Sequence, residues 1–493
     1  MTLGQPLPRL CDATLGRLPA EVARPRYDRA STRIGIVHLG IGAFHRAHQA
    51  VYIDALLDRE PQWAICGVSL RSPEVRDALQ PQDGLYTLEL LGETPQWRVI
   101  GAVREVLCAP QQPAAVLERL ADPAVRLVTL TVTEKGYCLH GDDLDLAHPD
   151  IVHDLATPHA PVSAIGHVVA GLRLRRERGV PACSVLSCDN LPDNGGKLRR
   201  ACVQFARQLD PGLASWIDTH ARFPRSMVDS ITPASDAPLR ERAAQALGLD
   251  DAWPVQREAY SQWVVEDDFA LGRPDWARVG VTMSSDIAGY DRAKLRLLNA
   301  PHSALAYLGT LLGLETVAAG MRHPALGPFV GRLLRAHIAP NVVLPEGFDA
   351  PGYIDAILAR FGNPAVRHRL LQIAQDGSQK IPVRFLGTIA EALAAARPIN
   401  VLCLPVAAWL HFVRRQTAAG IALADPMAEP LARIASNMHD DAATDVAAFL
   451  RIDGVFGALA ADARFVQALT QAYAAMGDGA DAAVANALAH AES

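Results

Sequence analysis

The sequence predicts a mostly parallel α/β domain followed by a mainly α-helical one, and two observations carry that prediction. Early in the chain, short apolar runs alternate with segments of helical spacing, the alternation that makes a parallel sheet with helices on both faces. From about Tyr290 onward strand-like runs become rare, and Ala/Leu-rich stretches such as 390–396 and 461–489 dominate. The expected division is 1–286, an α/β domain with an N-terminal arm, and 287–493, a mainly helical domain.

Along the chain, residues 1–30 are rich in Pro and Arg and irregular, which suits an arm wrapped on a domain. Ile34-Gly-Ile-Val-His-Leu39 reads as a buried strand. After a Gly40-Ile-Gly42 turn, Val51, Tyr52, Ala55 and Leu56 recur at helical spacing. Trp63-Ala-Ile-Cys-Gly-Val68 is a second apolar strand, which closes a βαβ unit. Val125-Arg-Leu-Val-Thr-Leu-Thr-Val132 is another strand, ending at Thr133-Glu134-Lys135-Gly136. Ser163 is placed to cap a helix running to Arg176, with Val168, Val169 and Leu172 on one face. Cys183-Ser-Val-Leu-Ser187 is a strand broken by Asp189-Asn190-Leu-Pro-Asp-Asn-Gly195. Farther on, Asn400-Val-Leu-Cys-Leu404 reads equally as strand or helix.

Composition excludes several classes of function. The chain has 493 residues, half of them hydrophobic and a fifth charged, with a formal net charge of −6. No basic stripe suits a nucleic-acid partner, and no apolar run approaches the ~18 residues that span a bilayer. The N-terminus lacks the basic-then-apolar layout of a signal peptide. Eight scattered cysteines, none spaced Cys-x-x-Cys, suit a reduced, cytoplasmic protein whose thiols lie in its core.

Gly40-x-Gly42 after the first strand is a partial dinucleotide fingerprint; the position of its third glycine holds His45. Backbone amides at a helix start favour a phosphate there, although the same turn also serves as a bare strand-to-helix corner. At the end of the second strand, Glu74 suits an adenosine ribose and points to NAD, whereas Arg71 suits a 2′-phosphate. The run Lys294-Leu-Arg-Leu-Leu-Asn299-Ala-Pro-His302 sets a base, an amide and an imidazole within an arc of roughly 140° on a regular helix. A lysine of lowered pKa can take a proton from an alcohol. An amide can donate to the oxygen where negative charge develops, and an imidazole can hold the reacting hydroxyl. Pro301 is expected to bend that helix. Asn190, just past a strand's carboxyl end, and Asp229 are further polar candidates, each equally readable as local turn chemistry. No metal-site spacing is present: His45-x-x-His48 overlies the nucleotide turn, and no metal is expected. Neither a Gly-x-Ser-x-Gly elbow nor a Walker loop occurs.

In order along the chain, these residues resemble the long-chain polyol dehydrogenases, the family that includes mannitol 2-dehydrogenase and fructuronate reductase. The matching motifs are Gly40-Ile-Gly-Ala-Phe-His-Arg-Ala-His48, Thr133-Glu-Lys-Gly-Tyr137, Ser187-Cys-Asp-Asn-Leu-Pro-Asp-Asn-Gly195, Phe223-Pro…Met-Val-Asp229, Gly272-Arg-Pro-Asp-Trp276, Lys294…Asn299…His302 and Asp376-Gly-Ser-Gln-Lys380. The resemblance implies a Rossmann-like NAD-binding domain and a helical substrate domain. It also implies a zinc-independent mechanism in which Lys294 is the general base, Asn190 and Asn299 bind the oxyanion, and His302 orients the substrate. The acidic relay falls on Asp291, one methylene shorter than the usual Glu, and Ala300-Pro301 stand where Gly-Ser is common. Asp229 and Lys380 are implied to line the substrate pocket, and Gly40, Gly42, Phe44, Arg46 and Glu74 to face the cofactor.

The Thr-Glu-Lys-Gly-Tyr and Asp-Gly-Ser-Gln-Lys runs look closest to fructuronate reductase, so the expected substrate is a small sugar acid, D-mannonate or D-fructuronate. D-mannitol and D-fructose are the alternative. Lys135, Lys380 or Arg369 would pair a uronate carboxylate. The expected assembly is a monomer or small homo-oligomer. A non-catalytic NAD-binding regulator is the rival of another class; it has no use for the Lys294, Asn299 and His302 set.

Overall fold

The computed structural model describes residues 7–438 and 441–489. The chain divides into two compact units, Met1–Ala288 and Gly289–Ser493.

The first unit is built on five parallel strands, β1 (Ile34–Leu39), β2 (Ala64–Ser69), β3 (Val103–Cys108), β4 (Leu127–Leu130) and β5 (Ser184–Ser187). Their spatial order is β3-β2-β1-β4-β5, with every pairing parallel. This is a doubly wound, Rossmann-like sheet whose order reverses between β1 and β4. Open sheets of this kind hold ligands outside the carboxyl ends of the strands at that reversal.

Successive side chains of a strand point to opposite faces, and both faces here are covered. Val37, Leu39, Val128, Leu130 and Val185 pack with Val168, Leu172 and Leu198 in one core. Ile36, Leu127 and Leu186 pack with Ile53, Leu57 and Trp63 in another. Burial on both sides is why the strands read as unbroken apolar runs.

The helix expected after the glycine turn forms as two short ones, α1 (Ala43–Ala47) and α2 (Gln49–Asp54), broken at His48 with φ −121° and ψ −88°. His48 is fully buried; its Nε2–H donates to the Gln262 carbonyl at 3.0 Å and its ring meets the edge of Trp263. The run 125–132 is strand only over Leu127–Leu130. The Ala164–Glu177 helix is capped as its sequence suggests, with Ser163 Oγ accepting from the Gly166 amide at 2.9 Å.

Two small sheets lack a clear signal in the sequence. One pairs Tyr86–Leu91 with Gln96–Ile100 and Val255–Glu258; the other pairs Gln262–Val265 with Ser226–Asp229 and Thr282–Met283. The N-terminal arm is anchored on this unit. Leu10, Leu18 and Val22 pack against Leu85, Val99, Leu247 and Leu249, and Leu10 and Asp250 are joined by a backbone hydrogen bond of 2.8 Å. Buried Arg29 donates to the Gly101 and Val103 carbonyls at 3.1 and 3.2 Å.

In the second unit every regular element among the described residues is helical. Leu305, Leu308, Phe329, Val330, Phe385, Leu402, Trp409 and Phe465 are among its buried side chains. The ambiguous run 400–404 opens the Asn400–Ala418 helix, which packs along Ala463–Gly477. Its length decides between the readings: at 19 residues the segment is far longer than a strand.

Three stretches of this unit are π-helical: Lys294–Asn299, Leu333–Ile338 and Pro382–Leu386. That form takes well under ~1% of residues in soluble proteins. A proline sits within or just beyond each: Pro301, Pro340 and Pro382. Proline has no N–H for an i→i−4 bond and its ring collides with that carbonyl. The wider i→i+5 turn is where each ladder changes over. The first π stretch packs against both of the others.

Candidate active site

In the first unit, Gly40 follows β1 directly at the reversal of the sheet. Its φ is +91°, and a Cβ there would lie 2.3 Å from the Thr131 carbonyl oxygen, so only glycine lets β1 turn this close to β4. Gly42 is exposed, caps α1 at φ −87°, and a Cβ there would meet nothing nearer than 3.8 Å. The turn therefore offers open backbone at a helix start, the surface that a pyrophosphate needs.

The missing third glycine has a physical replacement. A glycine there normally allows close packing of helix on strand. Here His45 lies flat on His38 with ring centroids 3.3 Å apart, and His38 is held by Thr129 Oγ1 at 2.7 Å and Thr131 Oγ1 at 2.9 Å. Burial lowers both imidazoles, His38 to about 3, so the stack is neutral.

Phe44 stacks on His48 at 5.0 Å. Arg46 does not sit at the surface of the turn. Its guanidinium is buried, donates to the Trp253 carbonyl at 2.6 Å and lies over the Tyr86 ring. Glu74 and Arg71 are both exposed beyond β2. Glu74 accepts from Ser72 Oγ at 2.8 Å in the first turn of the Glu74–Leu79 helix.

Asn190 is exposed beyond the carboxyl end of β5, on the same edge. What fixes that edge is a residue the sequence reading passed over. Asp189 is buried, and its carboxylate accepts from the Val132 and Thr133 amides at 3.1 and 2.8 Å and from the Tyr137 hydroxyl at 2.8 Å. It thereby ties the end of β4 to the end of β5 and holds Thr133 at φ +67°. Asn194 adds a second tie, donating to the Ser226 carbonyl at 2.8 Å and accepting from the Ser226 amide at 3.0 Å. Both lie in the Asp-Asn-rich run read as turn residues; the signal available was a carboxylate beside a strand end. Lys135 is exposed in the 3₁₀ turn Glu134–Tyr137, and Asp229 is buried at the end of Ser226–Asp229.

In the second unit, Lys294 and Asn299 open and close the first π stretch, and His302 lies in the Ala300–Leu311 helix that follows. The regular-helix arc expected for these three residues is thus corrected. Through Lys294–Asn299 the turn is wider, so Lys294 is rotated relative to His302 from where an α-helix would put it. Lys294 and His302 are buried, whereas Asp291 and Asn299 are half-buried.

His302 packs against Phe361 at 4.2 Å and His368 at 5.4 Å between ring centroids, and its Nε2 is buried with no hydrogen-bond partner among the described residues. Burial first, then His368, Arg360 and Arg384, push its pKa well down, so the ring is neutral. Lys380 donates to the Ile373 carbonyl at 3.3 Å and lies 3.7 Å from the Asp376 carboxylate; burial and Arg384 lower its pKa. Arg384, one turn on, donates to the Asn299 carbonyl at 3.1 Å and to Ser303 Oγ at 2.8 Å. It joins the third π stretch to the first and was not singled out from the sequence.

The Asp-Gly-Ser-Gln-Lys run is held from beneath. A Cβ on Gly377 would lie 2.3 Å from Trp409 Nε1, and the Ser378 amide donates to Asp425 at 2.8 Å. Among the described residues Cys138, His148 and Asp150 of the first unit meet.

No helix among the described residues is long and apolar enough to cross a membrane. A doubly wound sheet with a glycine turn at its reversal, in a chain whose second unit carries a buried lysine and an imidazole on one helix, defines a Rossmann-type oxidoreductase. The mannitol dehydrogenase Rossmann domain model matches residues 34–278, and the mannitol dehydrogenase C-terminal domain model matches 286–477. The chain belongs to the mannitol dehydrogenase family. It is 41% identical to the D-mannonate oxidoreductase of Escherichia coli (strain K12), over 92% of this chain and 95% of that one. It is 39% identical to the polyol:NADP oxidoreductase of Gluconobacter oxydans (strain 621H), over 81% and 84%. A solved structure of Pseudomonas fluorescens mannitol 2-dehydrogenase, a ternary complex with NAD and D-mannitol, matches with a TM-score of 0.80 at 38% identity, over 98% and 99% of the two chains.

Proposed function

We propose that the chain is an NAD-dependent, zinc-independent secondary-alcohol oxidoreductase that interconverts D-mannonate and D-fructuronate. NAD supplies the hydride acceptor, and NADH the donor. The residues suited to hold the dinucleotide are Gly40 and Gly42 at the open turn and Glu74 beyond β2. Lys294 takes the hydroxyl proton during oxidation, the Asn299 amide donates to the oxygen as it gains charge, and His302 Nε2 holds the hydroxyl. The unpartnered, neutral state of that nitrogen supports the last role, since a buried polar atom without a partner is costly. Asn190 carries the second oxyanion donor, Asp291 the proton relay, and Asp229 and Lys380 substrate contacts. Lys135 remains a candidate for the carboxylate.

The observation that carries the sugar-acid reading is the positive charge around His302. Burial is the first cause of the lowered pKa of His302 and of His368; Arg360 and Arg384 add to it at His302, and Lys380, 3.7 Å from the Asp376 carboxylate, adds to it at His368. A uronate carboxylate is the partner such a setting favours. D-mannitol and D-fructose are the second reading, favoured by the likeness to the solved mannitol 2-dehydrogenase.

A panel of NADH- and NADPH-linked reductions with fructuronate, fructose, tagaturonate and xylulose separates the two. Fructuronate with NADH should give the highest kcat/KM. Lys380→Met should lower kcat/KM for fructuronate roughly tenfold to a hundredfold, the equivalent of one charge-assisted hydrogen bond of ~1.5–3 kcal/mol, and leave fructose nearly unchanged. A wild-type preference for fructose moves the assignment to mannitol. Preference for NADPH moves the cofactor choice from Glu74 to Arg71.

A further inference from the structure

The loop that leaves β4 gathers three side chains that are far from one another in type and lie outside the residues assigned to catalysis. Cys138 is buried just past the Glu134–Tyr137 turn; His148 caps the Pro149–Ala156 helix and Asp150 stands in its first turn, both half-buried. One potential ligand atom from each, Sγ, an imidazole nitrogen and a carboxylate oxygen, lies within 4.8 Å of the other two.

We propose that Cys138, His148 and Asp150 form a binding site for a zinc-class divalent cation, with a fourth position left to water. Thiolate, imidazole and carboxylate are the donors that such an ion takes, at bond lengths of about 2.0–2.3 Å in tetrahedral geometry. Those bonds put ligand atoms about 3.5 Å apart, so a contraction of about an ångström closes the site. Asp145 and Asp154 add negative charge facing Cys138, and Arg71 is the cation that faces it. His148 Nδ1 accepts from the Asp150 amide at 3.2 Å, a long cap. Ligation through Nε2 moves the imidazole proton to Nδ1 and gives up that contact.

The site sits where it can stiffen the ligand edge of the sheet. Cys138 follows Tyr137, whose hydroxyl donates to Asp189, and the Cys138 carbonyl accepts from the Asp145 amide at 2.8 Å. An ion therefore joins the turn after β4 to the start of the Pro149–Ala156 helix. It takes no part in hydride transfer, which stays zinc-independent.

The test uses the full chain, stripped with a chelator. Titration with Zn²⁺ against a chromophoric competitor should show one ion per chain, and Co²⁺ should raise a thiolate-to-metal charge-transfer band. Cys138→Ser should abolish the band. His148→Gln and Asp150→Asn should each weaken Zn²⁺ by at least about 10–100-fold, because loss of a mere outer-shell partner already costs that much. Cys11→Ser should change nothing, Cys11 being the one cysteine that is not buried. Zn²⁺ should raise the melting temperature of the wild type but not of Cys138→Ser. No band in the wild type, a band that survives Cys138→Ser, or Zn²⁺ affinity unchanged in both His148→Gln and Asp150→Asn overturns the proposal. His148→Gln changes only a half-exposed cap, so its folding is secure and its binding result stands by itself.

Discussion

Gly40 and Gly42 lie two residues apart and answer to different physics. Gly40→Ala puts a methyl group against the Thr131 carbonyl at a left-handed φ. It should cost about 1–3 kcal/mol of stability and be visible in urea unfolding. Gly42→Ala meets open space at an ordinary φ. It should change stability by less than about 0.5 kcal/mol yet weaken NADH binding in a fluorescence titration. Equal losses of stability in both variants would contradict this division. At Lys294, Ala should lower turnover by roughly 10²–10⁴-fold, the range for a general base, with NADH affinity little changed. Asn190→Ala and Asn299→Ala should each lower it by ~10²–10³-fold. Residue types for the proposed site could be read in the sequence because alcohol oxidation without a metal calls for a proton acceptor and for donors to the developing oxyanion. Their supports were not legible. Asp189 and Arg384 act on backbone amides and carbonyls that lie close only after folding, and His45 read as a defect in a glycine pattern until its stacking partner His38 was seen.

The first π stretch is the element on which the second unit's site depends. Pro301 cannot donate to the preceding turn, and the wider turn before it sets the angle between Lys294 and His302. Pro301→Ala restores the missing donor and allows an ordinary α-helix. The variant should keep or gain thermal stability while losing turnover, because Lys294 rotates away from its setting. Unchanged turnover with unchanged stability would show that the π geometry is independent of the proline. At this scale apolar periodicity exposed β1, β2, β5 and the Ala164–Glu177 helix, since each is buried in a regular pattern. It could not expose the two small sheets, whose strands are short and partly polar, such as Gln96–Ile100. Nor could it expose the π stretches, which depend on how prolines are accommodated rather than on which face is apolar.

For the whole molecule, buried imidazoles set the response to acid. Burial depresses His38, His45, His167 and His302, and the less buried His337, His368 and His411 move the same way. An unfolded chain takes up these protons below about pH 6.5 while the folded chain does not. Stability is therefore full above about pH 7 and falls below it, by up to about 1.4 kcal/mol per pH unit for each fully buried ring. Buried Asp189 and Asp251, whose carboxyls are pushed up, work in the opposite sense: the stability they add is present in acid and is lost as pH rises through their folded values. The imidazoles outnumber them, so urea midpoints should be level from pH 8 to 7 and drop by pH 5. A midpoint that rises on acidification would contradict this balance.

The anchoring of the N-terminal arm also sets an order of events during synthesis. Residues 8–10 bond to Asp250, and Leu10, Leu18 and Val22 pack on Leu247 and Leu249. Those partners leave the ribosome about 240 residues after the arm does, a wait of roughly ten seconds to a minute at ~5–20 residues per second. Throughout that interval β1 and β2 can pair, and the arm's apolar side chains have only the Leu85 and Val99 part of their seat to cover. The arm's cover is therefore completed only when the first unit is nearly complete.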